Sequence, residues 1–194
     1  MARKVVIVGA GALGSHVLLL ARNWDCELTL VDFDKVEQKN TQAQMHTRMS
    51  LRRNKAQAMQ QAMQGMWGLK VNAIPHRLTK DNFRQLLDGA FLVIDCTDNI
   101  EARLVLKAAK VALPSLEILH GALSAGGDFA RVMWTEHFAP DAEGEQGQAT
   151  CEDGENLHFH ALAAAHMTRE AQSFLAGGKK ASWQITPISV LKIT

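Results

Sequence analysis

The sequence predicts an α/β domain built on a doubly wound, mostly parallel sheet, and three observations carry that expectation. Short apolar runs alternate with helical stretches through the first two thirds of the chain. The first run, VVIVGAGALGS, passes from a strand straight into Gly9, Gly11 and Gly14 at G-x-G-x-x-G spacing. A later run, AFLVID at residues 90–95, is apolar without alternation, as suits a central parallel strand covered on both faces. The glycine spacing makes the opening Rossmann-like. It allows a tight turn, a close approach of backbone to phosphate, and close packing of helix on strand. The free N–H groups of the helix then face the anion.

Taken in order, residues 4–8 form the first strand and residues 13–22 the helix behind the glycine turn. Residues 27–31 give a second strand that ends at Asp32. Residues 55–66 have helical periodicity, and residues 70–74 make a short strand closed by Pro75. A brief helix over 82–87 precedes the apolar strand, and residues 100–111 form a helix ended by Pro114. The pattern then changes. Residues 116–122 and 128–134 read as two strands, an antiparallel extension of the sheet. Residues 137–150 are polar and nearly free of large apolar side chains, which predicts a mobile crossover loop. Residues 157–175 give a long amphipathic helix stopped by Gly177 and Gly178, and residues 182–193 return as one strand or two. The expected organisation is one domain: a nucleotide-binding core over 1–135, a crossover loop over 136–156, and a C-terminal helix with strands over 157–194.

A chain of 194 residues that is 47% hydrophobic can bury one sizeable core. Its 21 basic and 20 acidic residues leave a net charge of +1, which announces neither a nucleic-acid nor a membrane partner. Residues 1–4 lead directly into a strand and leave no room for a signal peptide. No apolar run reaches the roughly 18 residues of a membrane span. The three cysteines, Cys26, Cys96 and Cys151, are widely spaced and odd in number, which argues against a disulfide framework and predicts a cytoplasmic protein. No C-x-x-C pair occurs, so a four-cysteine zinc site is excluded.

The glycine turn and a strand-end acid say nucleotide, usually a dinucleotide whose ribose hydroxyls take the Asp32 carboxylate. The continuation is unusual for a dehydrogenase: Asp32-x-Asp34-x-Val36-Glu37-x-x-Asn40, then Gln44. The apolar strand ends in Asp95-Cys96-Thr97-Asp98-Asn99, with Arg103 four residues after the Asn. Open α/β sheets place ligands at the carboxyl ends of their strands, and a carboxylate there can hold Mg²⁺ together with phosphate oxygens. Asp98 and Asn99 can equally cap the helix that starts near Ile100, Asn40 can serve a turn, and Gln44 and Lys55 can be solvated.

Together these segments resemble the ThiF/MoeB/HesA family, the ubiquitin-activating-enzyme-like adenylyltransferases, in its D-x-D-x-V-x-x-S-N-L-x-R-Q and D-x-x-D-N-x-x-x-R motifs. The resemblance covers residues 4–128 well and the last third loosely. It implies a compact adenylation domain that uses ATP and Mg²⁺ to adenylate the C-terminal carboxylate of a small ubiquitin-like or sulfur-carrier protein ending in Gly. On that resemblance Gly9, Gly11 and Gly14 shape the phosphate loop, and Asp32 holds the ribose. Asp34, Asn40, Gln44 and Asn99 serve the nucleotide site, Lys55 binds phosphate, and Asp98 carries Mg²⁺. Cys151, after the crossover loop, matches a covalent acceptor whose thiolate attacks the acyl-adenylate, forming a thioester and releasing AMP. Its neighbours Glu152 and Asp153 are acidic, which disfavours the thiolate. A homodimer, or a pairing with a similar subunit, is implied as well.

The chain departs from the family pattern at Ala43, where the family has Arg before the Gln. Arg48, Arg52 and Arg53 are the nearby cations. The family often carries a helix before the first strand, and here that strand begins almost at Met1. These departures leave open a non-catalytic subunit that binds nucleotide or partner without turnover. The glycine loop and Asp32 leave open an NAD-dependent oxidoreductase, which does not explain Asn40, Lys55 or Asp98–Asn99.

Overall fold

Alternation along the strands decides which helix covers which face. In the computed structural model, which describes residues 2–124, 126–137 and 154–193, β1 (Arg3–Val8) turns Val5 and Ile7 to one side and Val6 and Val8 to the other. The first side is covered by α1 (Ala12–Leu20), α3 (Lys55–Trp67) and α6 (Leu157–Leu175), through Val17, Leu18, Met59, Met63, Phe159 and Met167. The second side is covered by α5 (Ile100–Ala112) through Val105, Leu106 and Ala109, helped by Leu86 of α4 (Phe83–Leu86). Burial of both faces is why these strands read as unbroken apolar runs.

The remaining strands are β2 (Cys26–Val31), β3 (Val71–Ile74), β4 (Ala90–Asp95), β5 (Glu117–Leu123), β6 (Ala130–Trp134), β7 (Trp183–Thr186) and β8 (Ser189–Lys192). Among the described residues they form one eight-stranded sheet in the order β3-β2-β1-β4-β5-β6-β7-β8. The first five pair in parallel and the last three antiparallel. Winding runs outward from β1 in one direction and from β4 in the other. The turns after these two neighbours therefore part and open a crevice at their carboxyl ends.

The predicted α/β class and antiparallel extension are thus present. Residues 182–193 resolve into two strands, because Thr186 Oγ1 accepts the Ser189 N–H at 3.0 Å and closes a hairpin. Strand β6 starts at Ala130, two residues later than the sequence suggests, since Asp128 is drawn into the preceding turn by Ser124 Oγ at 3.0 Å. The sequence reading missed α2 (Asn40–Ala43) and the 3₁₀ turn Arg48–Ser50, both too short to show a period. Expectations for the crossover loop beyond His137 and for Cys151 fall outside the described residues. Among the described residues no helix is long and apolar enough to cross a membrane.

Helix α6 is fastened to the antiparallel strands by a buried carboxylate. Glu170 accepts the indole N–H groups of Trp134 and Trp183, each at 3.0 Å, and the Ala181 N–H at 2.7 Å. Three donors offset the desolvation of a charge that is 5% exposed.

Candidate functional site

The turn after β1 is built by interlocking backbones. Gly9 has φ +94°, and a Cβ there would lie 2.9 Å from the Cys96 carbonyl oxygen in the turn after β4. A Cβ on Gly14 would lie 1.8 Å from the Gly9 carbonyl oxygen, so helix α1 could not approach its strand with any other residue. Gly11 is different. A Cβ there meets only Gln44 Nε2 at 4.0 Å, and Gly11 caps α1 without a side chain, leaving first-turn N–H groups facing the crevice.

Side chains from the next segment clamp this turn. Asp32 accepts the Ala10 N–H on Oδ2 at 2.6 Å and the Asp34 N–H on Oδ1 at 2.8 Å. His46 Nε2 faces the Ala10 carbonyl oxygen at 2.9 Å and must donate to it, so both polar groups of the Ala10 backbone are held by side chains. Burial pushes the Asp32 carboxyl above its ordinary value, against the pull of the two N–H groups and of Lys55. Burial also holds the His46 imidazole below its ordinary value, with Lys55 adding to the effect. His46 Nδ1 and Gln44 Oε1 are buried without a hydrogen-bond partner among the described residues.

The segment from Lys35 to Lys55 folds back over this clamp. Asn54 Nδ2 donates to the Asp32 and Asp34 carbonyl oxygens at 2.8 and 3.1 Å, while its Oδ1 caps α3 at Gln57. The cap delivers Lys55, only 8% exposed, with Nζ 3.3 Å from Asp34 Oδ2. Asn40 is buried and its Oδ1 accepts the Glu37 N–H at 2.8 Å, the geometry of a turn. Ala43 is fully buried. Among the arginines weighed as replacements for an Arg there, Arg53 is bound to Gln61 on α3 and Arg48 and Arg52 are exposed. Lys55 is thus the cation enclosed beside the turn.

At the end of β4, Asn99 Oδ1 accepts the Ala102 N–H at 2.8 Å and caps α5. Asp98, next to it, is exposed and has no hydrogen-bond or ion-pair partner among the described residues. Arg103 Nη2 donates to the Thr97 carbonyl at 3.0 Å. Cys96 is buried, its thiol pushed well up by burial and then by Asp95. The structure therefore gathers Gly9, Gly11, Gly14, Asp32, Asp34, Gln44 and Lys55 around one turn and sets Asp98 on the neighbouring one. Sequence reasoning missed His46, for which no spacing signal exists. It also missed His120, which lies inside the apolar strand β5 at the last rung shared with β4.

The model of the ThiF family matches residues 1–172. The sulfur carrier protein ThiS adenylyltransferase of Escherichia coli is 31% identical over 152 residues, which is 71% of this chain and 61% of the relative. The molybdopterin-synthase adenylyltransferase of Salmonella typhimurium is 34% identical over 119 residues, 58% of this chain and 48% of the relative. The chain thus spans about half to three fifths of these relatives' length. The crystal structure of E. coli MccB with ATP matches with a TM-score of 0.78 at 16% identity, over 99% of this chain and 64% of that one, a likeness of fold alone. By its sequence match, its sheet order and the turns that its glycines build, the chain belongs to the ThiF family.

Proposed function

We propose that this protein uses MgATP to adenylate the C-terminal carboxylate of a small ubiquitin-like or sulfur-carrier protein. The observation that carries the reading is the gathering of the Gly9–Gly14 turn, Asp32 and Lys55 at the crevice beside the turn that presents Asp98. The residues fit the group. Open space at Gly11 admits a phosphate to the backbone, two buried polar atoms at Gln44 and His46 await partners, and the Asp98 carboxylate is uncommitted among the described residues. Asp98 with phosphate oxygens is a donor set suited to Mg²⁺, which when bound neutralises charge building on the departing phosphates.

In the reaction an oxygen of the carrier's carboxylate attacks the α-phosphorus, the bond from that phosphorus to the bridging oxygen breaks, and pyrophosphate leaves. Asp32 accepts from the ribose, the α1 N–H groups and Lys55 hold phosphate, and Asn40 and Asn99 keep their turns in place. Positioning and charge neutralisation supply most of the rate. In a second step a Cys151 thiolate attacks the acyl carbon, a thioester forms and AMP leaves. That step is tested by loss of a thiol-sensitive adduct in Cys151→Ala with pyrophosphate exchange retained. The relatives, adenylyltransferases of sulfur carriers among them, support the first step.

The deciding experiment is ATP–pyrophosphate exchange with a carrier ending in Gly. Wild type should exchange label and Asp98→Ala should not, while both remain folded. Exchange undiminished in Asp98→Ala overturns the assignment of Asp98. Nucleotide binding without exchange favours the non-catalytic subunit, for which the buried Ala43 speaks. Stabilisation by NAD in place of ATP favours the oxidoreductase.

A further inference from the structure

Beneath the turn that carries Asp98 lies a polar chain that the proposed chemistry does not use. Asp95 and His120 are paired at the last rung between β4 and β5, and they are 0% and 1% exposed. His120 Nδ1 lies 2.7 Å from Asp95 Oδ2, and since a carboxylate oxygen only accepts, Nδ1 carries the proton. The other ring nitrogen, Nε2, meets Thr135 Oγ1 at 2.9 Å, so the imidazole is fixed at both ends. Asp95 Oδ1 accepts two further bonds, from the Thr97 N–H at 3.0 Å and the Thr97 hydroxyl at 2.7 Å.

Packing does not explain such an arrangement, because an apolar pair at one rung would fill the space without desolvating a carboxylate. What the carboxylate holds is Thr97, the residue before Asp98. On the far side Asn99 is fixed to the α5 N-terminus, and from below Arg103 holds the Thr97 carbonyl. Every residue of the turn is tied down except Asp98, which projects to solvent.

We infer that His120 is a positioning residue. By fixing Asp95, and through it Thr97, it sets where the Asp98 carboxylate stands and so how strongly a divalent cation tightens nucleotide binding. The inference rests on the reading of Asp98 given above. Partners that orient a metal-binding side chain change metal affinity without touching the metal.

The test measures ATP binding to the full chain by calorimetry, once in EDTA and once in excess Mg²⁺, together with hydrogen exchange of the Thr97 amide. His120→Leu should leave the EDTA affinity unchanged and lower the Mg²⁺-dependent gain about tenfold. The Thr97 amide should exchange faster, because its acceptor is freed. His120→Asn, which can place an N–H near the Nδ1 position, should restore most of the gain. Should His120→Leu not fold, Thr135→Val loosens the ring from the other nitrogen and should lower the gain by a smaller factor. A full Mg²⁺ gain in these variants, with Thr97 exchange at the wild-type rate, overturns the inference. So does a fall in EDTA affinity equal to the fall in Mg²⁺. If wild type and Asp98→Ala show the same Mg²⁺ response, the reading of Asp98 falls, a result distinct from failure of the His120 variants alone.

Discussion

Gly11 and Gly14 sit three residues apart in one turn, yet the structure assigns them different duties, and two alanine substitutions separate them. In Gly14→Ala the new methyl carbon would stand 1.8 Å from the Gly9 carbonyl oxygen, 2.9 Å from its carbon and 3.1 Å from Cys96 Cβ. Backbone lies on both sides of the clash, so α1 must retreat from its strand by about 1 Å. Overpacking of this kind costs about 1–3 kcal/mol, at the upper end here because no flexible side chain can yield. Helix propensity returns about 0.5–1 kcal/mol. The net loss is about 2 kcal/mol, a fall in Tm of about 4–8 °C for a chain of this size. In Gly11→Ala the methyl meets only Gln44 Nε2 at 4.0 Å. The stability cost is then the weaker helix cap, less than about 1 kcal/mol. That methyl does occupy the approach to the α1 N–H groups, and a clash there of about 1–3 kcal/mol weakens ATP roughly 5- to 150-fold. Thermal unfolding and calorimetric titration of ATP read the two effects separately. Equal Tm losses in the two variants, or ATP bound at full strength by Gly11→Ala, would refute the division.

Two further outcomes are expected. Because burial lowers the His46 pKa in the folded protein from its ordinary 6.5, the unfolded chain takes up a proton first as pH falls. The contribution of His46 to stability should therefore decline as pH drops through about 6.5. Part of that slope, measured by urea unfolding, should vanish in His46→Gln, and His166, lowered by burial and Arg169, contributes in the same direction. Equal slopes in wild type and variant would contradict the burial of a neutral imidazole. Glu170→Ala should cost about 3 kcal/mol, since the indole groups of Trp134 and Trp183 and the Ala181 N–H lose their acceptor. The matching fall of about 6–12 °C in Tm should come with unaltered ATP affinity in the folded fraction, and a shift of less than about 3 °C would count against the hub.

Much of this architecture was legible because it follows from local rules. The apolar runs at Val5–Val8 and Leu92–Ile94 announced strands covered on both faces, and the spacing of Gly9, Gly11 and Gly14 announced the turn. Asn99 stands before an amphipathic helix where a cap is expected, and its side chain does cap α5, whereas the cap that Asn54 gives α3 appeared only in the fold. What stayed hidden depends on contacts distant in sequence. His46 meets Ala10 across 36 residues, and His120 meets Asp95 across 25. No local period records such a meeting. Asn40 shows the converse: the sequence left both a motif match and a turn role open, and its side-chain amide oxygen takes the Glu37 N–H of the turn.

The placement of the site across β1, β2 and β4 also has a kinetic consequence. Gly9 and Asp98 become neighbours only when β1 pairs with β4, after the whole β2–β3 excursion has been enclosed between them. Closing so long a segment is slow, and no shorter portion of the chain contains both turns. A ligand of this crevice therefore has nothing to grip in an early folding intermediate. It should leave the refolding rate almost unchanged and act as a brake on unfolding, lengthening the lifetime of the finished sheet in proportion to its occupancy.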